Sequence, residues 1–250
     1  MANKTRRDQI LGLLRLHTSA SIHEMAERFS VSEMTIRRDL RELHQSNRVI
    51  RIPNGAMIAQ PVTFERTFQE RLRAMGDAKD RIGRAAAALV RPGEAVVLDS
   101  GTTTLCIARH LHKVPNLIVI TFSVAILGEL AMYRSIRVEL TGGTYRRSSH
   151  DLVGAEVSQG LTRVSANKVF FGAASLSFQK GVMQFDPEAP RELLQAGTER
   201  ILVLDSSKIG REALYAFCKV ESCSLVITDG GIRPEHLERL RKLCRVHVAE

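Results

Sequence analysis

The chain has 250 residues, 44% of them hydrophobic and 25% charged, with a formal net charge of +9. That length suits one ordinary domain plus a small one, and the surplus charge suits a protein that meets polyanions or anionic small molecules. Cys106, Cys218, Cys223 and Cys244 form no Cys-x-x-Cys pair and have no His at metal-ligand spacing, which argues against a zinc site and a disulfide framework.

Reduced thiols and no bound metal or cofactor are the expectation. The opening MANKTRRDQI runs into an amphipathic pattern with no apolar signal core behind it, and no stretch approaches a membrane span. This reads as a cytoplasmic protein without a membrane partner. Residues 1–56 hold ten Lys or Arg against six Asp or Glu, so +4 of the charge lies in under a quarter of the chain.

Taken in chain order, Ile10, Leu13 and Leu14 recur at helical spacing between Arg6 and His17, with Leu11 and Leu16 widening the stripe. Ser21 followed by Glu24 reads as a capping box, opening a second helix that buries Ile22, Met25, Ala26 and Phe29. After Ser30-Val31, Ser32 caps a third helix reaching about Gln45. Two helices joined by so short a break describe a helix-turn-helix.

At about 100° per residue, Leu40 and Leu43 fall within about 40° of Ile36 and make a core face. Met34, Arg38, Arg41 and Gln45 lie opposite, with Thr35 and Arg37 on the shoulders. A recognition helix entering the major groove would offer Ser32, Glu33, Met34, Thr35 and Arg38 to base edges, with Arg37 and Arg41 toward phosphates. The stretch Arg48 to Ile58 reads as a hairpin around Pro53-Asn54-Gly55, the wing of a winged helix, with Arg48, Arg51, Asn54 and Gly55 toward the DNA backbone. A solvated basic face or a protein-docking helix pair is the competing reading.

The run Val31-Ser32-Glu33-Met34-Thr35-Ile36-Arg37-Arg38-Asp39-Leu40 resembles the signature of the DeoR family of bacterial sugar-metabolism regulators, and Asn54-Gly55-Ala56 is similar to the Gly-Gly-Ala usual there. Within that motif, Asp39 is expected to orient arginines or to cap a neighbouring helix.

Residues 59–77 are polar and irregular and read as a linker. From Ala78 helices and strands alternate: helix to Val90, strand Ala95 to Asp99, helix Thr104 to His112, strand Leu117 to Thr121, helix Val124 to Met132, strand Arg137 to Leu140. Later strands are expected at Lys168 to Gly172, Ile201 to Leu204, Leu225 to Thr228 and Val246 to Val248. The fold class is therefore α/β, a winged helix-turn-helix over residues 1–58 followed by a domain over 78–250 with a mostly parallel sheet.

Ligands of such sheets bind beyond the carboxyl ends of the strands. Asp99-Ser100-Gly101-Thr102-Thr103-Thr104 follows one strand and opens a helix, a place for a phosphate or merely a helix cap. It fits neither Gly-x-Gly-x-x-Gly nor Walker A, which weakens a nucleotide reading. Thr121-Phe122-Ser123, Thr141 to Arg146 and Asp205 to Lys208 end further strands and together suggest an anionic, hydroxyl-rich ligand.

These segments resemble the family's effector domain, whose sheet is similar to ribose-5-phosphate isomerase and glucosamine-6-phosphate deaminase. The resemblance implies a phosphorylated sugar effector at Asp99, Ser100, Gly101, Thr102, Thr103, Thr104, Ser123, Gly142, Gly143, Arg146, Glu188 and Lys208. It also implies a homo-oligomer, dimer or tetramer, on double-stranded operator DNA.

Two positions depart from the family pattern. Ala174 stands where an Asp is common, and Glu188-Ala189-Pro190-Arg191-Glu192 replaces Glu-Ala-x-x-Lys, with Arg191 a candidate stand-in for the lysine. An isomerase or deaminase with a fused helical module, or a regulator with a degraded pocket, are the rival readings; an enzyme would draw its acid or base from Asp99, Asp205 or Glu188.

Overall fold

The computed structural model describes residues 2–17, 19–45, 48–52, 54–58 and 67–250, and contacts divide the chain into one unit of residues 1–64 and another of 65–250. The Leu16 side chain, Asn47, Pro53 and residues 59–66 of the linker span lie outside the described residues.

In the first unit α1 (Ala2–His17), β1 (Ser19–Ser21), α2 (Ile22–Arg28), α3 (Glu33–Gln45), β2 (Val49–Ile52) and β3 (Gly55–Ile58) follow in order. The apolar stripes of the three helices meet in one core in which Ile10, Leu14, Met25 and Ile36 are wholly buried. Leu40 and Leu43, the other members of the predicted α3 face, join them. Ser21 Oγ accepts the Glu24 N–H at 3.0 Å, the serine half of the predicted capping box, and Ser32 Oγ accepts the Thr35 N–H at 3.3 Å.

Two features of the wing differ from the sequence reading. Ser19–Ser21 adds a third strand, pairing antiparallel with β3 in the order β1-β3-β2, so the serine that caps α2 also ends a strand. Ile52 pairs with Gly55, which leaves Asn54 at φ 55° as the left-handed turn residue and puts Gly55 inside the strand. Gly55 is needed there for close approach, because a Cβ would lie 2.5 Å from Ala20 O.

The second unit begins with α4 (Phe68–Arg73) and α5 (Gly76–Ala87), so the described part of the stretch read as a linker is largely helical. Then come β4 (Ala95–Leu98), α6 (Thr102–His110), β5 (Leu117–Thr121), α7 (Val124–Leu130), β6 (Ile136–Leu140), β7 (Thr144–Arg146), β8 (Asp151–Val153) and α8 (Ala155–Thr162). They are followed by β9 (Ala166–Phe171), β10 (Ser175–Ser177), β11 (Gly181–Gln184), β12 (Gly197–Val203), β13 (Tyr215–Cys218), β14 (Leu225–Asp229), α9 (Pro234–Arg241) and β15 (Val246–Ala249).

Seven strands form one sheet in the order β15-β14-β12-β9-β4-β5-β6, with every neighbouring pair parallel. Both faces are covered, as parallel sheets require. Val96, Leu98, Phe170, Ile201 and Ile227 pack toward the core that includes α5, α6 and α7. Val97, Val169, Phe171, Leu202 and Val226 face a second core shared with α8, α9 and the antiparallel sheet β10-β11-β13. Gly83 lets α5 lie against α6, since a Cβ there would meet the Cys106 backbone at 2.6 Å.

Each predicted strand of this domain is present within a few residues. The β7-β8 hairpin, the β10-β11-β13 sheet, α8 and α9 were not predicted, being short or, for the strands, paired with partners distant in sequence. Strand order reverses between β4 and β9. That places a crevice at their carboxyl ends, where open α/β sheets bind ligands.

Candidate functional site

On α3 the side opposite the core is open. Met34 is 72% exposed, the Arg38 side chain 79%, and Ser32, Glu33, Arg37, Arg41 and Gln45 are exposed, with Thr35 half-buried. Arg37 lies 3.5 Å from Glu33 and Arg38 4.0 Å from Glu42, both pairs one turn apart and in solvent. Such pairs are held weakly, by at most about 1 kcal/mol, and a phosphate can replace the carboxylate. Arg48, Arg51 and Asn54 are exposed on the wing, Arg48 lying 3.8 Å from Asp8. Gly55 is buried and offers no surface of its own.

Beneath this face Asp39 is only 3% exposed and accepts a hydrogen bond from Arg6 Nε at 2.6 Å, with Arg7 Nε at 3.8 Å. Arg7 also pairs with Glu42. The carboxylate ties α1 to α3 and raises the Arg6 guanidinium further above its ordinary value, chiefly through their hydrogen bond. Of the two roles expected for Asp39, orienting arginines is the one found. Arg6 and Arg7 were missed in sequence because their spacing on α1 is unremarkable until Asp39 is known to be buried.

At the carboxyl ends of the second unit's strands a network crosses the β4/β9 crevice. Asp99 Oδ2 accepts the Gly172 N–H at 2.9 Å, closing the end of β4 against β9. Burial lifts the Asp99 carboxyl to about 7, with nearby Asp151 adding to the rise. Ser100 Oγ donates to Asp151 Oδ2 at 2.9 Å. Arg146 donates from Nε and Nη2 to the two Asp151 oxygens at 3.0 and 2.8 Å, and from Nη1 to Asp186. Asp186 in turn accepts the Glu188 N–H at 2.8 Å, while Ser149 Oγ accepts from Arg146 Nε at 2.6 Å. Lys208 Nζ donates to Ala173 O at 2.6 Å, one residue beyond Gly172.

Asp99, Ser100, Arg146, the Glu188 backbone and Lys208 are thus drawn to one crevice. The other predicted residues do structural work in this arrangement. Thr102 and Thr103 are buried in the first turn of α6, and the Thr104 hydroxyl donates to Asp99 O and Gly101 O at 2.7 and 3.0 Å. Ser123 Oγ caps α7 by accepting the Ile126 N–H at 3.3 Å. Gly142 and Gly143 have φ of 88° and 122° on the way into the β7-β8 hairpin, and a Cβ on Gly143 would lie 2.8 Å from Val153 O.

Both departures from the family pattern have a place. Gln184 Nε2 donates to Gly172 O at 2.9 Å beside Ala174, and Arg191 turns toward Ala216 O at 3.4 Å while Glu192 accepts from Ser158 at 3.0 Å. Sequence reasoning missed Asp151, Asp186 and Lys79. Lys79, on α5, is 2% exposed; burial and then the charge of Lys208 lower its pKa to about 8. A lysine at helical spacing with Ile82 and Ala86, on the apolar stripe, was its one signal.

All four cysteines are free, Cys106 and Cys223 buried, Cys218 and Cys244 half-buried. Among the described residues no helix is long and apolar enough to cross a membrane, and no three His, Cys, Asp or Glu are grouped to hold a metal.

A winged helix with an open basic face, in one chain with an α/β domain carrying a polar crevice at its strand ends, defines a DNA-binding transcription regulator with a sensor domain. Residues 6–62 match the DeoR-like helix-turn-helix domain and residues 75–230 the DeoR C-terminal sensor domain. The chain belongs to the DeoR family. It is 32% identical over 94% of its length to an uncharacterized helix-turn-helix regulator, YgbI, of Escherichia coli K12, covering 92% of that protein. It is 30% identical to the transcriptional repressor GlcR of Bacillus subtilis, over 88% of this chain and 86% of that one. Ribose-5-phosphate isomerase A of Methanocaldococcus jannaschii superposes with a TM-score of 0.40 at 16% identity, over 54% of this chain and 55% of that one, too slight a likeness to bear on function.

Proposed function

We propose that the protein represses a sugar-catabolism operon and leaves its operator when a phosphorylated sugar enters the β4/β9 crevice. The observation that carries this reading is the convergence of Arg146, Lys208, Asp99 and Ser100 at the strand ends of a chain whose other unit is a basic winged helix. Arg146 supplies the planar fork that suits phosphate, Lys208 a point charge, and the carboxyl and hydroxyl groups partners for sugar hydroxyls. Gly101, Thr102, Thr103, Thr104, Ser123, Gly142 and Gly143 shape the crevice.

On DNA, Ser32, Glu33, Met34, Thr35 and Arg38 meet base edges, and Arg37, Arg41, Arg48 and Arg51 meet phosphates, with Asn54 and Gly55 bringing the wing to the backbone. A dimer or tetramer presents its recognition helices to successive major grooves, so the operator carries repeated half-sites. The protein acts in the cytoplasm, with the chromosome, and the sugar is bound without turnover.

The test is a melting series against phosphorylated sugars, joined to a gel-shift titration on operator selected from genomic fragments. A compound that binds the folded state raises its melting temperature, and that same compound is expected to release the operator. Stabilisation without release would sink the effector assignment. Steady conversion of one sugar phosphate would replace it with an isomerase or deaminase, a reaction that an Asp99 carboxyl near 7 would suit.

A further inference from the structure

The short helix α4 is held at its start by the loop that receives Arg146 and at its end by Lys79 of α5. At its start the Phe68 N–H donates to Ser148 O at 3.3 Å, and the Phe68 ring lies 5.0 Å from that of His150. Those two loop residues flank Ser149, which with Asp151 receives Arg146. At its end, the Lys79 ammonium donates to the carbonyls of Arg71 and Ala74, acceptors that the last turn of a helix leaves open.

Lys79 is in turn close enough to the strand-end loop after β12 to sense the charges of both Lys208 and Asp205. Arg71, within α4, lies in electrostatic reach of Lys79 and Asp99. One short helix therefore touches the loop that receives Arg146 at its start and is gripped at its end by Lys79, which feels the charge of Lys208. It is also lightly held. Phe68 is its one buried residue, whereas α5 buries Ala78, Lys79, Ile82, Gly83, Ala86 and Ala87. Elements that move on ligand binding come from the weakly packed end of a structure.

Thr67, the N-cap of α4, follows β3 of the winged unit by eight intervening residues, 59–66. In chain order α4 is the first described element of the second unit after the winged one.

We propose that α4 is the element through which occupancy of the crevice reaches the DNA-binding unit, with Lys79 the positioning residue that joins it to the Lys208 wall. The proposal rests on the sugar-phosphate reading above. An incoming phosphate competes with Asp151 and Asp186 for Arg146 and with Ala173 O for Lys208. Moving Arg146 shifts the loop that holds Phe68, and added negative charge beside Lys208 relieves its repulsion of Lys79, which then grips the α4 carbonyls more firmly. A ligand shifts such an equilibrium only by its differential affinity for the two arrangements, and here the difference is the exchange of these charge partners.

The test uses the full chain. Hydrogen exchange by mass spectrometry over residues 67–76 is measured with and without each of a panel of sugar phosphates and inorganic phosphate, beside melting temperature and operator affinity. For the wild type, a compound that raises the melting temperature is expected to change exchange in α4 and weaken operator binding by about tenfold or more. Lys79→Met is expected to bind the same compound, seen as a melting shift, while its α4 exchange and operator affinity stay put.

Should Lys79→Met not fold by circular dichroism, Thr67→Ala with Glu70→Ala opens the capping box at the other end of α4, and the same outcome is expected. Binding with silent α4 exchange, or a variant that releases the operator as the wild type does, overturns the coupling and leaves the site standing. If no compound stabilises the wild type, the site reading fails and the coupling falls with it.

Discussion

The two units hold their charges in opposite ways. On the winged helix the arginines proposed to meet DNA stand in solvent, and Arg37 and Arg38 are paired at 3.5 and 4.0 Å with Glu33 and Glu42, which a phosphate can displace. In the α/β unit Arg146 is locked between Asp151 and Asp186, and Lys79 and Asp99 are buried. The difference follows from the ligands each surface suits. A DNA backbone is a dense polyanion recognised by many weak, exchangeable contacts, while a small anion needs few groups, pre-positioned and largely desolvated.

Among the described residues of the winged unit Asp39 is the buried carboxylate, and its removal has the largest expected effect. Asp39→Ala leaves Arg6 without its 2.6 Å partner at a site where the carboxylate is 3% exposed. Losing a hydrogen bond between charged groups costs about 1.5–3 kcal/mol. The first unit should therefore melt early in calorimetry and operator binding should disappear, while the melting of the second unit is unchanged. In the α/β unit Arg146→Ala strips Asp151 of its two closest cationic contacts and Asp186 of one. Hydrogen bonds to charged groups are worth about 1.5–3 kcal/mol, so the second unit should lose about that much stability together with all stabilisation by sugar phosphates.

Arg38→Ala tests the exposed face. With its side chain 79% exposed, its loss should leave the melting curve alone and weaken operator binding by about 1–3 kcal/mol, roughly 5- to 150-fold, if it reads a base edge. Equal affinity at fixed salt would remove it from the interface. The last effect is one of pH.

Asp99 has its carboxyl raised from 3.8 to about 7 by burial, so folding favours its neutral form. The stability it contributes is full below pH 3.8 and fades as pH rises through 7. The melting temperature of the wild type should therefore fall relative to Asp99→Asn across that interval. Parallel curves would show that the carboxyl is not buried in the way described.

The winged unit was legible because its information is local. Ser32, the 3.6-residue spacing of Ile36, Leu40 and Leu43 and the exposed arginines between them lie within one helix, so periodicity assigns each side chain a face. Even here β1 escaped notice, since three residues of strand have no pattern of their own and exist by pairing with β3. For the second unit, aliphatic runs announced the strands, and the polar residues after them announced where a ligand would sit.

The partners of those polar residues were beyond reach. Asp151 joins Ser100 across 51 positions and Asp186 joins Arg146 across 40, separations over which no periodicity operates. Thr104 and Ser123, equally plausible by residue type, turned out to spend their hydroxyls on Asp99 O, Gly101 O and the α7 N-terminus.

By itself, then, the sequence determined the helix-turn-helix, its outward face, the alternation that makes a parallel sheet and the membership of a regulator family. These depend on backbone propensity and on which side of one element is apolar. Packing settled that Asp39 is buried against Arg6, that Gly55 serves close approach, and that α4 is held by Ser148 at its start and Lys79 at its end. Each of these depends on what a distant segment brings within hydrogen-bond or van der Waals reach, and that is settled by packing.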